Sequence, residues 1–259
     1  MPSLREKIAF YLDDVETSVG LGINLTILGL ILLSSVIFIA GTYSLPTTVQ
    51  NSFNILDTII LIIFTIEYCL RFWSAKNKSK FFFNLFSLID LIAILPLLLG
   101  WLDIRFLRIF RWFRILRIIR LWRLKIKIFR LQTEDSIVYT RIFLTLFSLI
   151  FVYAGLIYQV EHQVNSKKLK NFFDAFYFVV VTMTTVGYGD VTPLSETGRA
   201  MTLLMILTGI LFIPWQLGEL IKQAVKTANL VEKECPGCNL TRHDSDAKFC
   251  KQCGTKLEN

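Results

Sequence analysis

Five stretches, at roughly 21–41, 52–73, 84–101, 137–160 and 198–221, stay apolar over about the 20 residues a helix needs to cross a bilayer. In lipid every backbone amide and carbonyl must be paired within the chain, so only helices and closed barrels span a membrane. The stretches are continuous rather than alternating in polarity, which selects helices. The segment from Ile104 to about Leu124 has only aliphatic or aromatic residues between its arginines and is a sixth candidate span. The shorter piece at 171–185 is too short for a full crossing and reads as a re-entrant half-helix. The fold class expected is an all-α membrane protein with six transmembrane helices and one re-entrant helix.

Arg71, Lys76, Lys78 and Lys80 follow the second span, whereas the loop after the first carries no charge. The positive-inside rule therefore places the N-terminus in the cytoplasm, and six spans return the C-terminus to the same side of the cell membrane. Lys167, Lys168 and Lys170 run against this trend, just before the half-helix. The first span is too long for a signal-peptide core and is expected to remain in the mature protein. Residues 1–20 read as an amphipathic interfacial helix.

The chain carries a formal charge of +8, from 28 Lys+Arg and 20 Asp+Glu. Ten of the basic residues fall between Arg105 and Arg130 with no acid among them; elsewhere 18 basic residues stand against 20 acidic ones. That is not the charge distribution of a nucleic-acid-coating protein, and no nucleic-acid partner is expected. Arg105, Arg108, Arg111, Arg114, Arg117, Arg120 and Arg123 occupy every third position. In an α-helix they would form a steep spiral about 27 Å long, close to the thickness of the hydrocarbon core.

Each arginine costs about 2.5–3.5 kcal/mol to bury even on the lenient insertion scale, so the ladder needs acidic partners or water. Asp57, Phe64, Glu67 and Arg71 follow helical spacing in the second span, and Asp90 lies in the third. These are the parts of a device in which charge passes between partners as voltage changes. A basic helix lying on the membrane surface is the alternative, but two apolar residues between successive arginines leave it no polar face. Arg71 also suits a plain interfacial anchor.

With FTIEYCLRFW, FNLFSLIDLIAILP and the arginine repeat, the first half resembles the voltage-sensor domain of voltage-gated potassium channels, of the prokaryotic type. The resemblance implies that Phe64, Glu67 and Asp90 form the centre past which arginines move, with Asp57 as the outer acid. The outer four arginines are the first choice for gating charge.

TMTTVGYGD at 182–190 is the most specific string in the chain. Dehydrating a potassium ion takes a file of backbone carbonyls, and the glycines permit dihedrals closed to other residues. Thr185, Val186, Gly187, Tyr188 and Gly189 fit that need, with the half-helix directing its negative C-terminal end toward the ion. A chance turn would explain GYG alone, but not five residues in order after a half-span helix and between two full spans. DAFYFVVVTMTTVGYGD resembles the potassium-channel pore signature, except that Tyr177 and Phe178 stand where many members have two Trp. Since one chain supplies one filter loop, a ring of carbonyls requires a homotetramer. Gly209 and Pro214 are candidate gate hinges in the last span.

Cys235-Pro-Gly-Cys238 and Cys250-Lys-Gln-Cys253 have the spacing of a zinc ribbon. Disulfides are the alternative, disfavoured in a cytosolic tail. His162 and His243 lack matching ligand spacing and read as ordinary loop residues, and Cys69 as packing. A cytoplasmic partner of the ribbon is left open.

The expected organisation is an interfacial helix at 1–20, a voltage sensor at 21–124, an amphipathic linker at 125–136, a pore domain at 137–228 with its filter loop at 171–192, and a zinc-ribbon tail at 229–259. The function implied is a voltage-gated, potassium-selective channel. A non-selective or ligand-gated cation channel and a membrane-anchored zinc-ribbon adaptor are the alternatives. Enzymatic chemistry is not expected.

Overall fold

The computed structural model describes residues 4–13, 17–98, 112–118 and 134–257. Eight α-helices are described: α1 (Leu4–Asp13), α2 (Ser18–Ala40), α3 (Thr47–Ser74), α4 (Lys78–Phe82), α5 (Leu85–Leu98), α6 (Glu134–Glu161), α7 (Phe172–Met183) and α8 (Glu196–Ala228). Residues 112–118 form a 3₁₀ segment. A two-stranded antiparallel sheet, β1 (Leu230–Glu232) and β2 (Arg242–Asp244), pairs Val231 with His243 and closes the tail.

Helices α2, α3, α6 and α8 are long and apolar enough to cross a membrane. The third expected span appears as the 14-residue α5, and most of the fourth lies outside the described residues, as does the linker from 125 to 133. The half-helix at 171–185 is α7, 12 residues long.

Local sequence fixes the helix ends. Thr17 caps α2 by accepting the Gly20 amide at 3.2 Å. Asn171 and Asp174 form a reciprocal capping box at the start of α7. Pro214 lies within α8, which runs through it and through Gly209 without interruption.

The burial pattern is the reverse of a water-soluble protein's. Asn24, Ser34, Asp57, Glu67, Arg71, Asp90, Arg114 and Arg117 are buried, while Val36, Ile55, Ile59, Ile66, Leu207 and Leu211 are exposed. Such a surface is satisfied by lipid, with polar groups paired inside the bundle.

Two helical groups meet along one seam. Helix α3 packs on α2 and α5, and α1 packs on α2 and α3. Arg5 of α1 donates to the Ala75 carbonyl at the end of α3, so the expected interfacial helix is docked on the bundle. In the second group α6 packs on α7 and α8 around the buried Ala154, Ile157, Ala175, Val179 and Met205.

Candidate functional site

The described part of the arginine ladder is not an α-helix. A 3₁₀ turn has three residues, so side chains at i and i+3 eclipse, and Arg114 and Arg117 share one face instead of spiralling. The spiral expected for an α-helix does not apply here. A repeat of three and a turn of three together bring both arginines to the acids of α3 and α5.

Arg114 Nη1 lies 2.5 Å from Asp57 Oδ1 and donates to Ser34 Oγ at 3.0 Å, while Ser34 donates to Asp57 at 3.2 Å. One rung on, Arg117 Nε is 3.3 Å from Asp90 Oδ1, Nη1 is 3.9 Å from Glu67 Oε2, and Nη2 donates to the Asp90 carbonyl at 3.1 Å. The Arg117 guanidinium sits 4.2 Å from the centre of the Phe64 ring, which is fully buried. Asp57, Phe64, Glu67 and Asp90 thus lie beside Arg114 and Arg117. Arg105, Arg108, Arg111, Arg120 and Arg123 lie outside the described residues.

Two further side chains join this cluster, Arg71 from the same face of α3 and Ser34 from α2. Arg71 is no interfacial anchor: it is 7% exposed and pairs with Glu67, one turn away. Ser34 is fully buried in α2. Its sequence signal is a pair of serines in a span whose other polar residues are Asn24 and Thr26.

At the end of α7 the backbone leaves the helix through alternate left-handed residues: Thr185 (φ 63°), Gly187 (φ 57°) and Gly189 (φ 76°). The Val186 and Gly187 amides donate to the Val181 carbonyl at 3.0 and 3.1 Å. The amides thus turn back to the helix, and among the described residues no carbonyl from Thr185 to Gly189 accepts a hydrogen bond. A row of free carbonyls at the negative end of a half-span helix is a site for a dehydrated cation. Val186 and Tyr188 are exposed on the single chain.

The Tyr177 hydroxyl donates to Asp190 Oδ2 at 2.9 Å, bracing the far end of the segment against α7. The tyrosine that departs from the Trp pair therefore supplies a polar tie of its own. Lys168 Nζ also donates to the Asp190 carbonyl, at 2.5 Å. Glu161, which the sequence reading passed over, is fully buried at the end of α6 and accepts from the Leu194 and Ser195 amides at 2.8 and 2.9 Å. It ties α6 to the start of α8; an acid at the very end of an apolar span was its signal. Near the middle of α8, a Cβ added to Gly209 would lie 3.3 Å from Met183 Cε, so the candidate hinge touches the end of α7.

In the tail the Sγ atoms of Cys235, Cys238, Cys250 and Cys253 all lie within 4.8 Å of one another, with Cys235–Cys253 at 3.4 Å and Cys238–Cys250 at 3.6 Å. Tetrahedral zinc at about 2.3 Å from each sulfur would set neighbouring sulfurs about 3.8 Å apart, so the four thiols fit the ion. All four are free of disulfides. The two knuckles are alike: the Gly237 and Gln252 amides each donate to a cysteine sulfur at 3.4 Å, and left-handed Asn239 (φ 56°) and Gly254 (φ 73°) follow the second cysteine of each. His243 is no loop residue. It is 1% exposed in β2, its Nδ1 lies 2.8 Å from the Lys233 carbonyl, and its side chain, with the Cys253 and Gln252 amides, lowers the Cys250 thiol to about 5. His162 stacks on Tyr158 at 4.7 Å.

The profile of the family described as "Ion transport protein" matches residues 22–221. Among curated proteins, a hyperpolarization-activated voltage-gated potassium channel of Methanocaldococcus jannaschii is 33% identical over 191 residues, covering 73% of this chain and 87% of the relative. A voltage-gated potassium channel of Aeropyrum pernix is 32% identical over 108 residues, 42% of this chain and 36% of the relative. A voltage-gated potassium channel of Escherichia coli is 33% identical over 79 residues, 30% and 18% of the two chains.

Proposed function

The chain belongs to the ion transport protein family, and on that premise we propose that it is a voltage-gated, potassium-selective channel whose ladder of arginines controls a pore built from the last two long helices and the half-helix between them. The observation that carries this reading is the coexistence of TVGYG, in alternate left-handed geometry, with buried arginines paired to buried acids.

Four chains assemble about the free carbonyls of residues 185–189, which replace the water around each potassium ion. Val186 and Tyr188, exposed on one chain, are covered by neighbours in that ring. Residues 21–124 are the sensor, 137–228 the pore domain, and both termini are cytoplasmic. In the sensor, Phe64 separates two polar compartments, and Asp57 on one side and Glu67 with Asp90 on the other receive successive arginines. Gly209, facing Met183, is the hinge of the gate, with Pro214 beyond it. The test is a voltage-clamp record of the purified protein in a planar bilayer, with voltage steps of both signs. The current reverses near the potassium equilibrium potential; equal sodium and potassium permeabilities would sink the reading.

Tyr177→Phe removes the hydroxyl that ties α7 to Asp190. A hydrogen bond to a charged group contributes about 1.5–3 kcal/mol, so potassium current should decay roughly tenfold faster or more during a maintained opening step. Decay at the wild-type rate would show that the tie carries no load.

The tail is a zinc ribbon held by Cys235, Cys238, Cys250 and Cys253. Zinc would supply a structural cross-link there and no reaction. Purified protein is expected to hold about one zinc per chain by elemental analysis, and Cys235→Ser with Cys250→Ser to hold almost none. Metal-free wild-type protein would remove the assignment.

A further inference from the structure

Two residues before Arg114, Trp112 is 4% exposed, and its neighbours come from three different helices. Its ring stacks on Phe172, the first residue of α7, with centroids 5.3 Å apart and planes 11° from parallel. Phe151 of α6 lies at 5.9 Å and Phe38 of α2 at 5.7 Å. The ring fits because α6 has a notch beneath it: a Cβ on Gly155 would lie 2.0 Å from Trp112 Cδ2. On either side of the notch the same face of α6 carries Phe151 and Val152, then Tyr158 and Gln159. The seat is therefore discrete, with no second notch a turn away in either direction.

The contacts continue along the seam between the two helical groups. The Phe172 amide donates to Thr42 Oγ1 at 3.1 Å, and the Tyr158 hydroxyl to the Thr42 carbonyl at 3.4 Å. The arginine-bearing segment is thus seated against α6 and α7 of its own chain. It meets α7 at the opposite end from the free carbonyls.

We propose that Trp112, seated in the Gly155 notch against Phe172, is the contact through which the charged segment acts on the pore helix of its own subunit. The proposal rests on the voltage-gated reading above. A displacement of one rung moves the segment by about 6 Å at the 3₁₀ rise of about 2.0 Å per residue, enough to lift the ring off Gly155 and off Phe172. The move is a jump between packed arrangements, because bulky side chains flank the notch. The seat stabilises the rung shown here, with Arg114 at Asp57 and Arg117 at Phe64.

Gly155→Ala fills the notch and leaves every charge in place. In the full-length channel under voltage clamp it should change the open-to-closed ratio at a fixed voltage by about tenfold or more, with the limiting slope of the conductance–voltage curve unchanged. In a Trp112→Ala background the same substitution should change the ratio little, since there is no ring left to expel. A second arm needs no current. In a Cys69→Ser background, oxidised Thr42→Cys with Phe172→Cys should lose two free thiols per chain and still run as a monomer on a denaturing gel. A ratio indifferent to Gly155→Ala, an equal change with and without Trp112, or a covalent ladder of subunits from the cysteine pair would each overturn the proposal. Wild-type current that ignores voltage would overturn the voltage-gated reading and this proposal with it. Voltage-dependent current together with any of the first three results overturns this proposal alone.

Discussion

Gly187→Ala is expected to abolish potassium conduction while leaving the tetramer assembled. Gly187 is left-handed at φ 57°, and a Cβ there meets nothing within 4 Å, so the cost is in the backbone and not in a clash. An L-residue in that region costs roughly 1–2 kcal/mol. Four subunits carry the substitution at once, which brings the total to about 4–8 kcal/mol, or roughly three to six powers of ten in the population of the conducting shape. Alanine relaxes toward negative φ, and that rotation turns its carbonyl out of the file. Bilayer recordings under asymmetric potassium, with assembly checked by size-exclusion chromatography, decide the point. Wild-type conductance and reversal potential would show that residue 187 does not shape the ion path.

Arg117→Gln is expected to flatten the voltage dependence. One charge per subunit is four per tetramer, and at about 2.3 kcal/mol per charge per 100 mV its removal takes away about 9 kcal/mol of electrical work per 100 mV, if each crosses the whole field. Three or four arginines per subunit would supply roughly 28–37 kcal/mol on the same scale, so the loss is a quarter to a third. Asp90, held to Arg117 at 3.3 Å, also loses its cation. Removing one partner of a buried pair typically costs about 3–5 kcal/mol, so the midpoint moves as well. Arg117→Lys separates the two effects: it keeps the charge and the slope, but loses the planar fork that reaches Asp90 and Glu67 together. An unchanged slope in Arg117→Gln would remove Arg117 from the gating charge.

The parts of the site governed by period and chemistry were legible in the chain. Asp57, Phe64 and Glu67 share a face because the intervals of seven and three are helical intervals, and the structure brings that face to the ladder. The left-handed backbone at Gly187 and Gly189 could be read because glycine permits it, whereas the same conformation at Thr185 has no such signal. Less was legible where the neighbour comes from a distant segment. Nothing near Gly155 says that a tryptophan 43 positions earlier will occupy its empty side, and Glu161 looks like any acid at the end of a span until the start of α8 folds onto it. His243 failed for a related reason. Ligand spacing tests whether a histidine belongs to a metal-ligand set, and is silent on one buried beside a cysteine of the cluster.

Helical hydropathy also hid the geometry of residues 112–118. Counting apolar residues finds segments of sufficient length, but does not choose between 3.6 and 3.0 residues per turn. The 3₁₀ form of residues 112–118 has a mechanical meaning. In an α-helix three residues turn through about 300°, so bringing the next arginine to the same acid needs a rotation of about 60° along with the advance. In a 3₁₀ helix the three residues close a full turn, and the advance alone suffices. A segment of this form is shaped to advance as a piston, where an α-helix would have to turn as a screw, and on the proposed reading a piston would carry a side chain such as Trp112 straight along a neighbouring helix without swinging it away.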